Sequence, residues 1–543
     1  LDVMAKRALI VFFLFAAFAG VLGLQMIRIP LTLPLQAGSG RRGGMSIVVD
    51  SSRGAIYDRR GERLVQAQPL SYAAAKPTPA AAQALRAALS EQRWQAAEER
   101  LARGGLVALP VDTQLPPCED IRLLQVYPRY AQRQKQLAAH LIGHLDGSGQ
   151  GVSGLEKSLD GLLRDASGEL SVRLASDALG RALTGAELEL SDEGYRSRAG
   201  IQLTIDARVQ RIAEEAMELH GLEPGAVVVL DAATSEILAL ASSPGFDPNN
   251  VAASLEDPGG PFLNRALQAY PIGSTFKCFV AAAALEQRIP ATRRYGCEGM
   301  LDVGGRVFRC NREEGHGWPD LSGALEQSCN LYFIQLAQAM EPQPMLDLIA
   351  SFGFGESQPL APGYGGGSGN VPDAGALAVP GELANFSFGQ GQLLGTPLQM
   401  AVATACLANG GVLRAPALIQ ATVDAAGEET PWPREGGERQ VISPETAEAL
   451  RQMMISAVEQ GSGQSARPET GSAGGKTATA QSGTFDAFGQ ELLLTGFAGF
   501  FPAENPRYVI SVLRQNGVSG AADCGPVFQR IANAMAAEGM TGE

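Results

Sequence analysis

Lysine is scarce in this chain: of 43 basic residues only six, Lys6, Lys76, Lys135, Lys157, Lys277 and Lys476, are lysines. Arginine fills nearly every other cationic position, and arginine stays protonated and cannot act as a general base. A lysine retained here is a candidate for work arginine cannot do. Histidine is scarcer still, with His140, His144, His220 and His316. His140 and His144 stand four apart, but no carboxylate or third histidine completes a zinc pattern, so no metal ligands are expected. Charged residues make up 18% and the formal net charge is −14. That balance excludes a nucleic-acid binder, while 45% hydrophobic content excludes a disordered chain. Cysteines number seven, too few and too odd for a dense disulfide framework. Only Cys297 and Cys310, which bracket a glycine-rich hairpin-like segment, look like a pair. They are expected to be disulfide-bonded, with two buried thiols as the alternative.

Against that background one stretch stands out. Pro271-Ile272-Gly273 reads as a turn leading into an alanine-rich helix, with Ser274 as cap or first-turn residue. Lys277 follows three residues later and shares a helix face with Ser274. It is the only lysine so placed. A serine hydroxyl becomes a competent nucleophile when a base takes its proton, and a lysine of lowered pKa can be that base.

Residues 8–27 form an apolar run interrupted only by Gln25 and preceded by Lys6-Arg7. The length suits an uncleaved bilayer anchor, although flanking charge leaves its direction open. The piece Arg53-Gly54-Ala55-Ile56-Tyr57-Asp58-Arg59-Arg60-Gly61 has the density of a hairpin turn, and helices are expected from about Ala80 to Arg103. A new unit begins near Gly200. There, strands at 203–206, 225–231 and 236–241, a helical middle, and strands at 474–480, 495–501 and 508–513 suggest one sheet closed by both ends of the domain. The segment 321–340 is helical around an interruption at Ser328-Cys329-Asn330.

Three elements line up in order: Ser274-Thr275-Phe276-Lys277, Ser328-Cys329-Asn330 and Lys476-Thr477-Ala478. The series resembles the S-x-x-K, S-x-N and K-T-G motifs of penicillin-binding proteins and serine β-lactamases. Further pieces bring the resemblance to class B penicillin-binding proteins. They are the Arg53 stretch, Gly151-Val152-Ser153-Gly154-Leu155-Glu156, residues 177–181, Pro244 with Asp247-Pro248-Asn249, Asn264-Arg265-Ala266, Gly389-Gln390-Gly391 with Thr396-Pro397-Leu398-Gln399, and Gly499-Phe500-Phe501-Pro502. The cysteines and His316-Gly317 look like the sporulation-specific branch of Gram-positive bacteria.

The resemblance implies a mixed α/β (α+β) fold. Residues 1–28 would be a cytoplasmic stub and transmembrane anchor, 29–199 an elongated pedestal, and 200–543 a transpeptidase domain built on a five-stranded, mainly antiparallel sheet covered by helices. It implies a single-pass protein of the cell membrane, with its catalytic domain outside the cytoplasm, that cross-links peptidoglycan stem peptides ending in D-Ala-D-Ala and is acylated by β-lactams. Ser274 would be the nucleophile and Lys277 its base. Ser328 would relay a proton, Asn330 would hold substrate amide and Lys277, and Lys476 would attract the substrate carboxylate and lower the pKa of Lys277. Thr477 would bind that carboxylate, and the backbone N–H groups of Ser274 and Thr479 would form the oxyanion hole. The family implies no cofactor, and a polytopic glycosyltransferase of the shape-elongation-division-sporulation family as partner. A β-lactam hydrolase and a non-catalytic β-lactam sensor or scaffold are the alternatives. Two departures stand out: Ala478 replaces the usual glycine beside the substrate groove, where a methyl is the smallest step from glycine and is expected to be tolerated, with efficiency or β-lactam affinity left open, and Leu494-Thr495-Gly496-Phe497 replaces a more aromatic pattern.

Overall fold

The computed structural model describes residues 44–541, apart from 113–114, 178–182, 184 and 435. The apolar run 8–27 and most of the 177–181 motif lie outside the described residues. Among those described, no helix is long and apolar enough to cross a membrane. Contacts divide the chain into two units.

The first unit takes the described residues up to Asp50 with Leu70–Val126 and Glu169–Glu193. In one sheet Leu70–Ala75 lies between Val107–Pro110 and Ile121–Val126. Two helices, Pro79–Ala88 and Glu91–Ala102, fall where alanine, glutamate and leucine predicted them. Thr78 starts the first by accepting from the Ala81 N–H, with Pro79 in the first turn. The small side chains of Ala73 and Ala75 share a core with Leu85, Trp94 and Leu101. A second sheet of Gly44–Ser52, Gly168–Ala175 and Leu188–Glu193 buries Val172 and Leu174. None of the candidate site residues belongs to this unit.

The second unit comprises Ser51–Pro69, Tyr127–Gly168 and Gly194–Glu543. Its centre is a five-stranded sheet in the order Ile237–Ser243, Gly225–Asp231, Tyr508–Gly517, Glu491–Phe501, Gly474–Phe485. Every neighbouring pair is antiparallel, and the early strands meet the late ones at Gly225–Asp231 beside Tyr508–Gly517. Alternation along the strands sorts the core. Val227, Val229, Ile510 and Val512 face the helices Ala207–Leu219 and Gly525–Ala537. Val228, Leu230, Val509 and Phe500 face the larger core with Phe276, Phe279 and Ala401.

The motifs without evident chemistry build this scaffold. Arg53 is buried and donates to Glu156 at 2.8 Å and to Asp160 at 2.7 Å, while Arg129 reaches the same Glu156 at 2.6 Å. A Cβ on Gly151 would stand 2.0 Å from the Glu156 carbonyl oxygen, which accounts for the glycine. Asp58 closes the expected turn by accepting from the Arg60 and Glu62 N–H groups, and Tyr57 pairs with Arg63 across it. Thr396 and Gln399 form a capping box that starts the buried helix Pro397–Ala408.

Candidate active site

Ser274 sits in a 3-10 turn, Gly273–Phe276, that runs into the helix Lys277–Glu286. Side chains three apart eclipse in such a turn, so Ser274 and Lys277 fall on one side. The alanines make the helix thin enough to be buried on all sides from Lys277 to Ala284. Gly273 has φ +65°, a left-handed value that a side chain would strain. A Cβ there would come within 3.1 Å of Ala480 Cβ and 3.3 Å of Ala478 Cβ, so the serine turn rests directly on the strand Gly474–Phe485. On the turn's other flank the Gly273 N–H donates to Gly389 O at 2.8 Å. A Cβ on Gly389 would stand 2.0 Å from Gly273 O, so the Gly389-Gln390-Gly391 motif exists to admit the serine turn.

Lys277 is fully buried, and its three ammonium hydrogens are all used. Nζ donates to Ser328 O at 2.7 Å, Ser328 Oγ at 3.2 Å and Asn330 Oδ1 at 2.7 Å. Two motifs 51 residues apart thus meet at one amine. Burial above all, and then the Lys476 cation, lower the Lys277 pKa from 10.5 to about 7, against an opposing pull from neighbouring thiols. Ser274 is not among the partners of Nζ; nucleophile and base commonly stand apart in an unliganded site.

The interruption between helices Leu321–Glu326 and Asn330–Gln338 comes from Ser328, whose φ of +57° is rare outside glycine. Such a conformation costs about 1–3 kcal/mol and points to a position held by its surroundings. It turns the Ser328 carbonyl and hydroxyl together toward Lys277. Cys329 follows in extended backbone and caps the second helix through its sulfur.

Lys476 is buried at the edge of the sheet, and its Nζ donates to Ser462 Oγ at 3.1 Å and to Thr477 Oγ1 and O at 3.2 Å each. Desolvation lowers its pKa to about 8. Thr477 in turn donates to Ser462 at 3.2 Å. Ser462 was missed by sequence reasoning, because a lone serine between Gly461 and Gly463 carries no motif. Its own N–H donates to Glu326 O at 2.9 Å, which ties it to the helix before Ser328. Thr479 is exposed, and its hydroxyl accepts from the Gly520 N–H at 3.3 Å. Alternation along the strand puts Lys476, Ala478 and Ala480 on one face, and Ala478 and Ala480 meet Gly273. The Ala478 methyl is 3% exposed and occupies space left by Gly273 and Gly496, rather than standing on the exposed side with Thr479.

One expectation is overturned. Cys297 and Cys310 are free thiols. The His316 ring lies against both, with Nδ1 at 3.5 Å from Cys297 Sγ and 3.4 Å from Cys310 Sγ. A separate concavity, lined among others by Ser357, Leu413, Trp432 and Arg439, contains none of the Ser274 constellation.

Residues 225–534 match the penicillin binding protein transpeptidase domain. The chain is 31% identical to stage V sporulation protein D of Bacillus subtilis over 70% of its own length and 58% of the relative's. It is 32% identical to penicillin-binding protein PbpB of Mycolicibacterium smegmatis over 73% and 63%. It therefore spans less than two thirds of either relative. With the probable peptidoglycan D,D-transpeptidase PenA of Neisseria gonorrhoeae it shares 28% identity over 89% of this chain and 83% of that one. Penicillin-binding protein 3 of Mycobacterium tuberculosis, solved in complex with aztreonam, superposes with a TM-score of 0.65 at 27% identity, covering 90% of this chain and 97% of that one. With its serine turn, its buried lysine pair and this breadth of likeness, the chain belongs to the penicillin-binding protein transpeptidase family.

Proposed function

We propose that this protein is a peptidoglycan D,D-transpeptidase working through a Ser274 acyl-enzyme. The observation that carries the reading is the buried Lys277 amine, which gathers Ser328 and Asn330 one helical step from Ser274. With its pKa near 7, Lys277 takes the Ser274 proton as Oγ attacks the penultimate D-alanine carbonyl. The backbone N–H groups of Ser274 and Thr479 stabilise the oxyanion of the tetrahedral intermediate. Ser328 passes the proton to the departing D-alanine nitrogen, and Asn330 holds the substrate amide. Lys476 and Thr477 attract the terminal carboxylate, with Ser462 steadying both. Gly474–Phe485 is an edge strand, and its free side suits a stem peptide that adds as a further strand. An amine of a neighbouring strand then resolves the acyl-enzyme.

In this reading the apolar run 8–27 anchors the protein in the cell membrane with the second unit outside the cytoplasm, and a polytopic glycosyltransferase supplies nascent strands. β-Lactams acylate Ser274 and stay. Labelling with a fluorescent penicillin tests the assignment: wild type is expected to carry a covalent label and Ser274→Ala none. Equal labelling of the two would contradict it, and turnover of the penicilloyl-enzyme within seconds would favour a hydrolase.

A further inference from the structure

The concavity that contains none of the Ser274 constellation has no part in this mechanism, yet it has the dimensions of a ligand site. Its volume is about 800 Å³, within the range of cavities that hold small molecules. It lies wholly within the second unit. One wall is the strand Gln358–Ala361, a second is Val412–Leu413 with the segment leading to Ile419, and a third is Trp432-Pro433-Arg434 with Arg439. Val402, on the buried helix Pro397–Ala408, also lines it.

Each wall is fixed by backbone pairing or an ion pair, so the side chains are in place before a ligand arrives. Gln358 pairs with Gly366, and a Cβ on Gly365 would stand 2.3 Å from Gln358 O, which accounts for a glycine there. Leu413 pairs with Arg439. The Trp432 N–H donates to Gln420 O at 2.9 Å and so continues the antiparallel pairing of Ile419–Val423 with Glu429–Pro431. Arg434 is tied to Glu236, which also accepts from Arg59 at 3.2 Å.

The polar groups of the lining say what fits. Gln358 is 7% exposed, and its Oε1 is buried with no hydrogen-bond partner among the described residues. An amide oxygen so placed has lost its water and gained nothing in return, and a ligand hydroxyl or N–H supplies the missing donor. Charges around the cavity balance. Arg414 pairs with Glu438 at 2.9 Å and Arg434 with Glu236, while Arg439 and Glu356 have no ion-pair partner among the described residues. Such a lining selects neither an anion nor a cation. Arg439 keeps donors to spare, because a guanidinium has five N–H groups and one of them goes to Ser351 O at 2.6 Å. Trp432 adds a flat apolar surface beside Leu360, Leu413 and Pro416. A neutral ligand with an apolar face and hydrogen-bonding groups along its rim answers to all of these features. A pyranose ring is such a ligand: its C–H groups pack on an indole, and its neighbouring hydroxyls match the forked donors and acceptors of amide, guanidinium and carboxylate.

We propose that this cavity binds a neutral saccharide, with Trp432 as the stacking platform and Gln358, Arg439 and the Arg414–Glu438 pair on its hydroxyls. On the proposed function, that saccharide is the glycan to which the stem peptides are attached, and the protein grips its substrate at a second place away from Ser274. The identity of the sugar as glycan rests on that reading; binding of a sugar does not.

The test titrates full-length protein with chitotetraose, a neutral oligomer of N-acetylglucosamine, by calorimetry. Wild type, Ser274→Ala and penicillin-acylated wild type are all expected to bind it alike. Trp432→Ala and Arg439→Ala are each expected to weaken binding at least about tenfold, as loss of an anchoring side chain does, while penicillin acylation keeps its wild-type rate and shows each variant folded. Should Trp432→Ala misfold, the exposed Arg439→Ala carries the test. Protein that binds the sugar but takes no penicillin label would refute the proposed function and uphold the cavity. Labelled wild type that does not bind chitotetraose at millimolar concentration, binding that penicillin abolishes, or binding unchanged in the folded variants would overturn the inference.

Discussion

At Lys277 two effects act in one direction, burial and the neighbouring Lys476 cation, and together they bring an amine into the range of a physiological base. The rate consequence has a definite sign. In the proposed mechanism Lys277 must be neutral to accept the Ser274 proton, so penicillin acylation should rise as pH climbs through about 7. Lys476 must be charged to attract a carboxylate, so the rate should fall above about 8. The two limbs belong to the coupled pair. Lys476→Met removes a cation, so it should move the acid limb to higher pH and abolish the alkaline one; a stopped-flow pH profile reads both. Stability follows the same linkage. The unfolded lysine has the ordinary value of 10.5 and binds a proton that the buried one lacks. Stability contributed by Lys277 therefore falls as pH drops from about 10.5 to about 7. Ser462 belongs to this scale as well. Ser462→Ala orphans a hydrogen bond from a buried ammonium and should slow acylation about tenfold, the lower end of what a charged hydrogen bond contributes. An unchanged rate would remove Ser462 from the site.

Elements explain which of these residues were legible. The S-x-x-K, S-x-N and K-T-x spacings depend on local backbone: a 3-10 turn, a broken helix and a strand. Local backbone is written in short stretches of sequence, and all three appeared where expected. Ser462 and the contact of His316 with Cys297 and Cys310 were illegible because their meaning lies in packing. Nothing near Ser462 announces that Lys476 will arrive 14 residues later, and the Cys297–Cys310 spacing suits a disulfide until the His316 ring is seen against both thiols. Ala478 shows the same limit. Its methyl was expected to be tolerated as the smallest step from glycine, but where it would go was not legible; the strand turns it into space left by Gly273 and Gly496. Scaffold motifs make a separate prediction. Glu156 is buried and bonds Arg53 and Arg129. Glu156→Ala takes the carboxylate shared by both guanidiniums, leaving Arg53 with Asp160 and Arg129 with backbone carbonyls, and should destabilise the protein by about 3–5 kcal/mol, read as a lowered denaturation midpoint.

For the whole molecule, hydrophobic patterning delivered the five central strands and the helical middle of the second unit, but not the strand order, and the strand expected at 203–206 is instead Gly200–Leu203 in a separate four-stranded sheet. That order depends on which faces bury against which helices, and the antiparallel pairing of Gly225–Asp231 with Tyr508–Gly517 joins residues nearly three hundred apart in sequence. The pairing puts Gly474–Phe485, the strand that carries the buried Lys476 and Thr477, at the sheet's edge. The central claim is that this assembly transfers an acyl group from a D-Ala-D-Ala peptide to an amine through Ser274. The most direct measurement incubates the full-length protein with a stem pentapeptide and a labelled D-amino acid. Release of D-alanine with incorporation of the label, abolished by Ser274→Ala, is the predicted result. Release and incorporation that persist in Ser274→Ala, or that are absent from wild type which nevertheless binds penicillin covalently, would contradict the account.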